Sequence, residues 1–388
     1  MLRPPTTVSE ATLTFSGLAL GLSGPEEILS AIRGEVEPFF HIGPRGGPTT
    51  VDLSLASENP AAVAARCEGP GEVVAVDTSL YAHLASMGRR WGSPRSDRWV
   101  VRVDTTGTYV LFDRSAARIE VVQPQPELQA RDAVRLIKGL LTSGLESCGA
   151  IQVHASGVTT RDGGVLLLGE MWQGKTTLLL ELLSEFHTRQ LSCDTVVLHE
   201  EEEDGGISAH GWPSPFSVSH GTLADHPVLH DAIPLERRTL AYDTLWREGK
   251  KSVLHSSEVV ARFGTALDPS TRHLAACIIA RFAPAEETRL RRVETVDELL
   301  RFLPSVYLGS RDPIYHNWHG YFTCDDAAID RNMERVGTAL FAQTPVYEVI
   351  WGPSAVSLLK RVPQLERAHK TLGPLLHNGG EQQEVTAH

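Results

Sequence analysis

No stretch of the sequence approaches the roughly 20 consecutive apolar residues that cross a bilayer, so no membrane-spanning helix is expected. The first residues, Met1-Leu2-Arg3-Pro4-Pro5, lack an apolar run followed by a cleavage site, so no secretory leader is expected either. Positive charge is scarce: 36 Lys and Arg stand against 48 Asp and Glu, a net charge of −12. That balance excludes a general nucleic-acid binder, which must neutralise phosphates, and adsorption to an anionic membrane. Cysteines are few. Cys67, Cys148, Cys193, Cys277 and Cys324 form an odd set, far apart, with no C-x-x-C pair. This excludes a disulfide framework and a structural zinc site, and it makes a reducing cytoplasm the expected compartment. No internal repeat is present.

What is present is enough apolar sequence, 41% of 388 residues, to bury a sizeable core. The patterning predicts an N-terminal α+β domain over about 1–125, an α/β core over 126–375 and a polar, disordered tail over 376–388. In the first part Thr12–Leu20, Glu72–Asp77, Trp99–Val103, Thr108–Phe112 and Arg118–Val122 read as strands, and Pro25–Val36 as a helix. Glu127–Leu145 carries Ala133, Leu136, Ile137, Leu140 and Leu141 on one helical face. Ile151–Thr159 and the wholly apolar Val165–Leu168 follow as strands, then a helix from Gly174 to Phe186 and a strand Leu191–His199, an order that predicts a βαβ unit. Further on, Ser256–Phe263, Glu294–Leu303 and Asp325–Phe341 read as helices, and Leu274–Phe282 and Val346–Trp351 as strands.

One motif carries chemistry. Gly169-Glu170-Met171-Trp172-Gln173-Gly174-Lys175-Thr176 fits G-x-x-x-x-G-K-[ST], between an apolar strand and a helix. In such a loop the glycines let backbone N–H groups curl around a β-phosphate, and the helix N-terminus adds positive potential. Lys175 is expected on the β/γ oxygens and the Thr176 hydroxyl on Mg²⁺, with Thr177 next in the contact set, so the expected ligands are ATP and Mg²⁺. Met171 and Trp172 are bulky for such a loop. They are expected either to cover a base or acceptor pocket or to pack beneath the loop. Phosphoryl transfer also needs a carboxylate for the metal or for the incoming hydroxyl, and Asp194, heading an apolar run, is the candidate.

Taken in order, His154-Ala155-Ser156-Gly157-Val158, Gly164-Val165-Leu166-Leu167-Leu168-Gly169, Gly174-Lys175-Thr176-Thr177 and Leu191-Ser192-Cys193-Asp194 resemble the nucleotide half of the HPr kinase/phosphorylase family. The resemblance covers about residues 131–200, and in layout the chain is more similar to the related kinases of modified-peptide biosynthetic clusters. It implies a P-loop core of the HPr kinase/phosphoenolpyruvate-carboxykinase type. It also implies Asp194 as general base close to the metal, His154 as the histidine beside the active site, and Lys175 on the phosphates. Cys193 stands where the family has the first of two aspartates, and the family's second signature does not recur in 200–260. The expected activity is transfer of the γ-phosphoryl group of ATP to a hydroxyl. The expected acceptor is a Ser or Thr of a peptide or small protein, recognised by the N-terminal domain, or else a small molecule. A nucleotide-binding regulator or assembly protein is the reading from another class, and a homo-oligomer is left open.

Weaker candidates complete the set. The acidic run Glu200–Asp204 reads as a solvated hairpin tip or a cation site. Lys250-Lys251 with Arg262 offers positive charge for a transition state or an anionic acceptor. Gly211-Trp212-Pro213-Ser214-Pro215 with His220-Gly221-Thr222 reads as a shaped loop near the acceptor or a rigid connection. His316 and His319 with Cys324 make an incomplete metal set, and Tyr315–Phe322 is a candidate substrate lid.

Overall fold

Alternating and continuous apolar runs dominate this sequence, and both become sheets. The computed structural model describes residues 8–56, 59–79, 84–186, 188–201, 205–283, 289–312 and 317–351. It divides into two units, Met1–Gln152 with Tyr307–Met333, and Val153–Val306 with Glu334–His388. The division therefore falls later than the boundary expected at 125, and a returning segment joins the first unit. The expected tail, 376–388, lies outside the described residues, as do 352–375.

In the first unit β1 (Val8–Phe15) and β2 (Leu18–Pro25) form a hairpin. The single strand expected over Thr12–Leu20 is broken by Ser16 and Gly17, whose φ angles of 44° and 84° suit a two-residue turn that follows strand twist. Then come α1 (Glu26–Val36), β3 (His41–Pro44), β4 (Val51–Ala56), α2 (Pro60–Ala64), β5 (Glu72–Ser79), β6 (Leu84–Trp91), β7 (Arg98–Val103), β8 (Tyr109–Asp113), β9 (Arg118–Val122) and α3 (Pro126–Ser147). The nine strands make one mixed sheet in the order β3-β1-β2-β4-β9-β8-β7-β6-β5. The pairs β2–β4 and β4–β9 are parallel. The helix α3 belongs here because its apolar stripe, Ala133, Leu136, Ile137 and Leu140, is fully buried and the helix packs on α1 and the sheet.

The second unit contains β10 (Ile151–Thr160), β11 (Gly163–Leu168), α4 (Lys175–Glu185), β12 (Arg189–Ser192), β13 (Thr195–Glu200), β14 (Ile207–Gly211), β15 (Phe216–Ser219), α5 (His220–Asp225), α6 (Tyr242–Arg247), β16 (Lys251–Leu254), α7 (Ser256–Arg262), β17 (Ser270–Thr271), β18 (Leu274–Phe282), β19 (Arg289–Arg292), α8 (Val296–Val306), α9 (Asp326–Gln343) and β20 (Val346–Trp351). The unit division cuts through β10 and α9. The main sheet runs β17-β14-β13-β10-β11-β18-β20-β19, with β12 also on β10, and β15–β16 form a separate ribbon.

Two expectations change here. The strand predicted over Leu191–His199 is interrupted at Cys193 and Asp194, between β12 and β13. The βαβ reading holds for order but not for pairing: β12 and β13 lie beyond β10, and the parallel neighbour of β11 is β18, followed by β20. Strands β11, β18 and β20 thus run parallel, and the loop after β11 opens at their carboxyl edge, where open α/β sheets bind ligands. Leu178, Leu179, Leu180, Leu182 and Leu183 of α4 are fully buried in the core with Val165, Leu167, Ala276 and Ile278. Burying each leucine is worth about 1.5–3 kcal/mol. That anchoring fixes the helix N-terminus against the sheet.

Candidate active site

The loop 169–174 is shaped by contacts with the ends of β18 and β20. Gly174, at φ 78°, caps α4, and a Cβ there would lie 2.0 Å from Trp351 Cζ2, so only glycine fits. Trp351 Nε1 donates to the Gln173 carbonyl at 3.2 Å, and the Phe282 backbone N–H donates to Gln173 Oε1 at 2.8 Å. At Gly169 a Cβ would approach the Ala280 carbonyl to 3.0 Å. The loop tip carries Met171 and Trp172, and both are exposed, Trp172 by 67%. Packing beneath the loop is therefore not their role. Trp172 has φ 68°, a left-handed conformation rare for a bulky residue.

Three expected residues come together. Lys175 Nζ donates to the Gly169 carbonyl (2.7 Å) and the Glu170 carbonyl (3.0 Å), and lies 3.3 Å from His154 Nδ1. His154 Nε2 lies 3.1 Å from Asp194 Oδ1. With Lys175 charged, each contact has one donor and one acceptor only if Nδ1 accepts from the ammonium and Nε2–H donates to the carboxylate. Burial pushes Lys175 down to about 7, with Lys251 adding to the fall and Asp194 and Glu170 opposing it. Burial alone would raise Asp194. The hydrogen bond from His154, the nearby positive charge and the Thr195 hydroxyl outweigh that and hold the carboxyl below its ordinary value. The Asp194 side chain remains 35% exposed, so one face of it is open to a ligand.

The remaining candidates separate. Thr176, half-buried, follows Lys175 in the first turn of α4. The Thr177 hydroxyl is 2.8 Å from that of Thr222, itself 2.8 Å from Ser219 Oγ, which ties it to α5. Cys193 is buried among core residues and donates to the Ser214 carbonyl. Glu170, Met171 and Gln173 stay in the loop, with Gln173 used as a brace.

Arg262 pairs with Asp231 and Glu258. Trp212 is a core residue, 2% exposed, and His220 is buried between Arg237 and Ser252, so that segment is packing. Glu200 and Glu201 sit in the β13–β14 hairpin, while Glu202–Asp204 lie outside the described residues. His316 and Tyr315 also lie outside them. His319 contacts Ser143 and accepts from the Tyr321 N–H, and Trp318 and Tyr321 are buried beside Phe112 and Trp99, which replaces the lid reading by packing. Among the described residues no group of three or more His, Cys, Asp or Glu is gathered for a metal.

Sequence reading missed the bracing by Trp351 and Phe282 and the meeting of Lys251 with Trp172, whose ammonium lies 4.0 Å from the ring centroid. It also missed a cavity of about 490 Å³ beside the loop, lined by Glu170, Gln173, Arg281, Arg291, Glu298 and Arg301 among others. These contacts join residues far apart in the chain and leave no local pattern.

Fold and site together define a mixed α/β chain in which a glycine-framed turn between strand and helix places a lysine, an imidazole and a carboxylate in a row. No family model matches the chain, and no curated protein matches it. Among solved structures, the HPr(Ser) kinase/phosphatase from Coxiella burnetii is similar over 60% of this chain and 99% of its own, at 11% identity and a TM-score of 0.26. The relation is a distant structural one. Among the described residues no helix is long and apolar enough to cross a membrane.

Proposed function

We propose that this chain is an ATP–Mg²⁺-dependent phosphotransferase that moves the γ-phosphoryl group to a hydroxyl, on a P-loop core. The observation that carries the reading is the contact chain Lys175–His154–Asp194 at the N-terminus of α4. Such an array holds a cation for the phosphates and an ionised carboxylate for the acceptor within one hydrogen-bonded line.

In this reading the backbone N–H groups of Gly169–Gly174 and the start of α4 hold the β-phosphate. Lys175 exchanges its carbonyl partners for β/γ oxygens. Asp194 accepts the proton of the acceptor hydroxyl as the oxygen–phosphorus bond forms and the bond to the bridging oxygen of ADP breaks. His154 holds Asp194 in place through Nε2. The Thr176 hydroxyl and Asp194 are hard oxygen donors of the kind Mg²⁺ takes sparingly alongside phosphate oxygens and water, and the ion would neutralise charge on the transferring group.

Exposed apolar side chains favour a peptide or small-protein acceptor over a metabolite in a closed pocket. Met171, Trp172, Leu235, Leu240, Tyr242 and Val253 all lie on the loop tip or the segment that follows α5. Asp194→Asn is the test. Mg–ATP affinity, read by titration calorimetry, should stay within about threefold, while transfer of labelled phosphate to a peptide library should fall at least about a hundredfold. Equal transfer by the variant removes Asp194 as base. Binding of ATP by the wild type with no labelled product from any hydroxyl acceptor would favour a nucleotide-dependent regulator.

A further inference from the structure

We infer that Lys251 is a second phosphate-facing cation of this site, directed at the γ-phosphoryl group, and that Trp172 positions it. The inference rests on the phosphotransferase reading above.

The ribbon β15–β16 has one face in the core: Phe216, Val218 and Leu254 are buried, and the Ser252 hydroxyl donates to the Ala232 carbonyl at 2.7 Å. Successive strand residues point to opposite faces, so Lys251 and Val253 share the outer face, and both are exposed. From that face the Lys251 ammonium rests over the ring of Trp172, 4.0 Å from its centroid. Gly249, at φ 60°, lets the chain pass close by, and a Cβ there would lie 3.8 Å from Trp172 Cζ3. Core packing does not account for an exposed tryptophan held at positive φ on the loop tip. A platform for the lysine does.

Donor accounting separates the two lysines. An ammonium has three N–H groups. Those of Lys175 are engaged by the Gly169 and Glu170 carbonyls and His154 Nδ1. Lys251 instead lies on a ring face, a contact made through charge and quadrupole that leaves its N–H groups for a ligand. Its charge acts on both Asp194 and Lys175. The two ammonium groups repel each other, and a polyanion bridging them relieves that repulsion. Lys175, at the root of the loop, suits the β-phosphate side. Lys251, reaching in from the ribbon, suits the terminal phosphoryl and the charge that develops as it transfers.

The experiment is titration calorimetry of the full chain with Mg–ADP and Mg–ATP. Lys251→Met keeps an apolar stem on Trp172 and removes the charge. ATP affinity should fall about tenfold, the scale of one hydrogen bond to a charged group, while ADP affinity is unchanged. Lys251→Arg should recover most of the loss. Lys250→Met, an equal change in net charge beside it, should alter neither ligand. Trp172→Leu should narrow the ATP-over-ADP preference at least about threefold and Trp172→Phe should keep it, whereas a merely structural tryptophan would affect both nucleotides alike. Wild-type ATP binding by Lys251→Met, equal loss for ADP and ATP, or the same loss in Lys250→Met overturns the inference while nucleotide binding stands. A wild-type chain that binds neither nucleotide overturns the phosphotransferase reading itself. If Lys251→Met fails to fold, failure of Lys251→Arg to preserve the ATP preference overturns the inference equally.

Discussion

Each unit buries ionisable side chains, but the two do so differently. In the first unit, Asp132 of α3 accepts from the hydroxyls of Thr106 and Thr108 and from Arg135. Glu146, the last residue but one of the same helix, accepts from the Tyr307 hydroxyl and from the Ser310 N–H and hydroxyl, while its backbone carbonyl takes the Asn332 amide. These knots fasten a loop and the returning segment 307–333 to one helix, and their acceptors are well supplied. In the second unit, Lys175 is buried against two carbonyls and an imidazole, with Asp194 beyond, one face open. The first pattern spends buried charge on architecture. The second leaves charge incompletely balanced at the mouth of a site, the arrangement expected where a ligand completes it.

Removing one member from each knot should break that comparison most sharply. Lys175→Met should lower ADP production from Mg–ATP at least about a hundredfold, because a positioned charge at the phosphates is lost. Its melting temperature should not fall, since a desolvated ammonium gives way to an apolar chain of similar length. Glu146→Ala should do the reverse. It strands the Tyr307 and Ser310 donors and opens a cavity, costing about 2–4 kcal/mol in a denaturant titration, with Mg–ATP affinity of the folded protein unchanged. A Lys175→Met protein as unstable as Glu146→Ala would erase the distinction.

The shape of the loop was largely legible in the sequence because it is local. Eight consecutive residues, the apolar strand before them and the leucine-rich helix after them define its shape. Asp194 was legible as a residue type, but not the break between β12 and β13 that turns it toward His154. Cys193 read as a missing acid, and only its contact with the Ser214 carbonyl shows that this position faces the core. The turn at Ser16-Gly17 lacks a strong hairpin dipeptide, so two strands read as one. Neighbours such as β18 beside β11, Trp351 beneath Gly174 and Lys251 over Trp172 depend on tertiary pairing, which hydrophobic periodicity does not encode.

The two knots should also differ in sign when pH is varied. Burial raises Glu146 from 4.5, against the pull of Ser310 and Tyr307. Above that value the unfolded chain loses a proton that the folded one keeps, so its contribution to stability is full below about 4.5 and declines as pH rises toward the folded value. Lys175 falls from 10.5 to about 7, so between those limits the unfolded chain holds a proton that the folded one has lost. Its contribution therefore improves as pH rises from about 7 to about 10.5. Each slope is at most about 1.4 kcal/mol per pH unit. Denaturant titrations across pH should show the first slope absent from Glu146→Gln and the second absent from Lys175→Met, both read as differences from wild type. Because an anion beside Lys175 restores its charge, Mg–ATP binding at pH 8 should take up protons. Calorimetry in buffers of different ionisation enthalpy would detect this, and the uptake should vanish in Lys175→Met.

The smallest effect tests where the site ends. Thr177 directly follows the G-x-x-x-x-G-K-[ST] sequence, yet its hydroxyl faces Thr222, and Ser219 completes a line of three hydroxyls from α4 to the start of α5. Thr177→Val keeps the shape and deletes one half-buried hydrogen bond, so stability should drop by about 0.5–1.5 kcal/mol. Mg–ATP affinity and turnover should stay within about twofold, since the backbone N–H and not the side chain is what a helix start offers a phosphate. A loss of nucleotide affinity comparable to that of Lys251→Met would mean that the hydroxyl leaves Thr222 when ligand binds, extending the site one residue further along α4 and coupling it to α5.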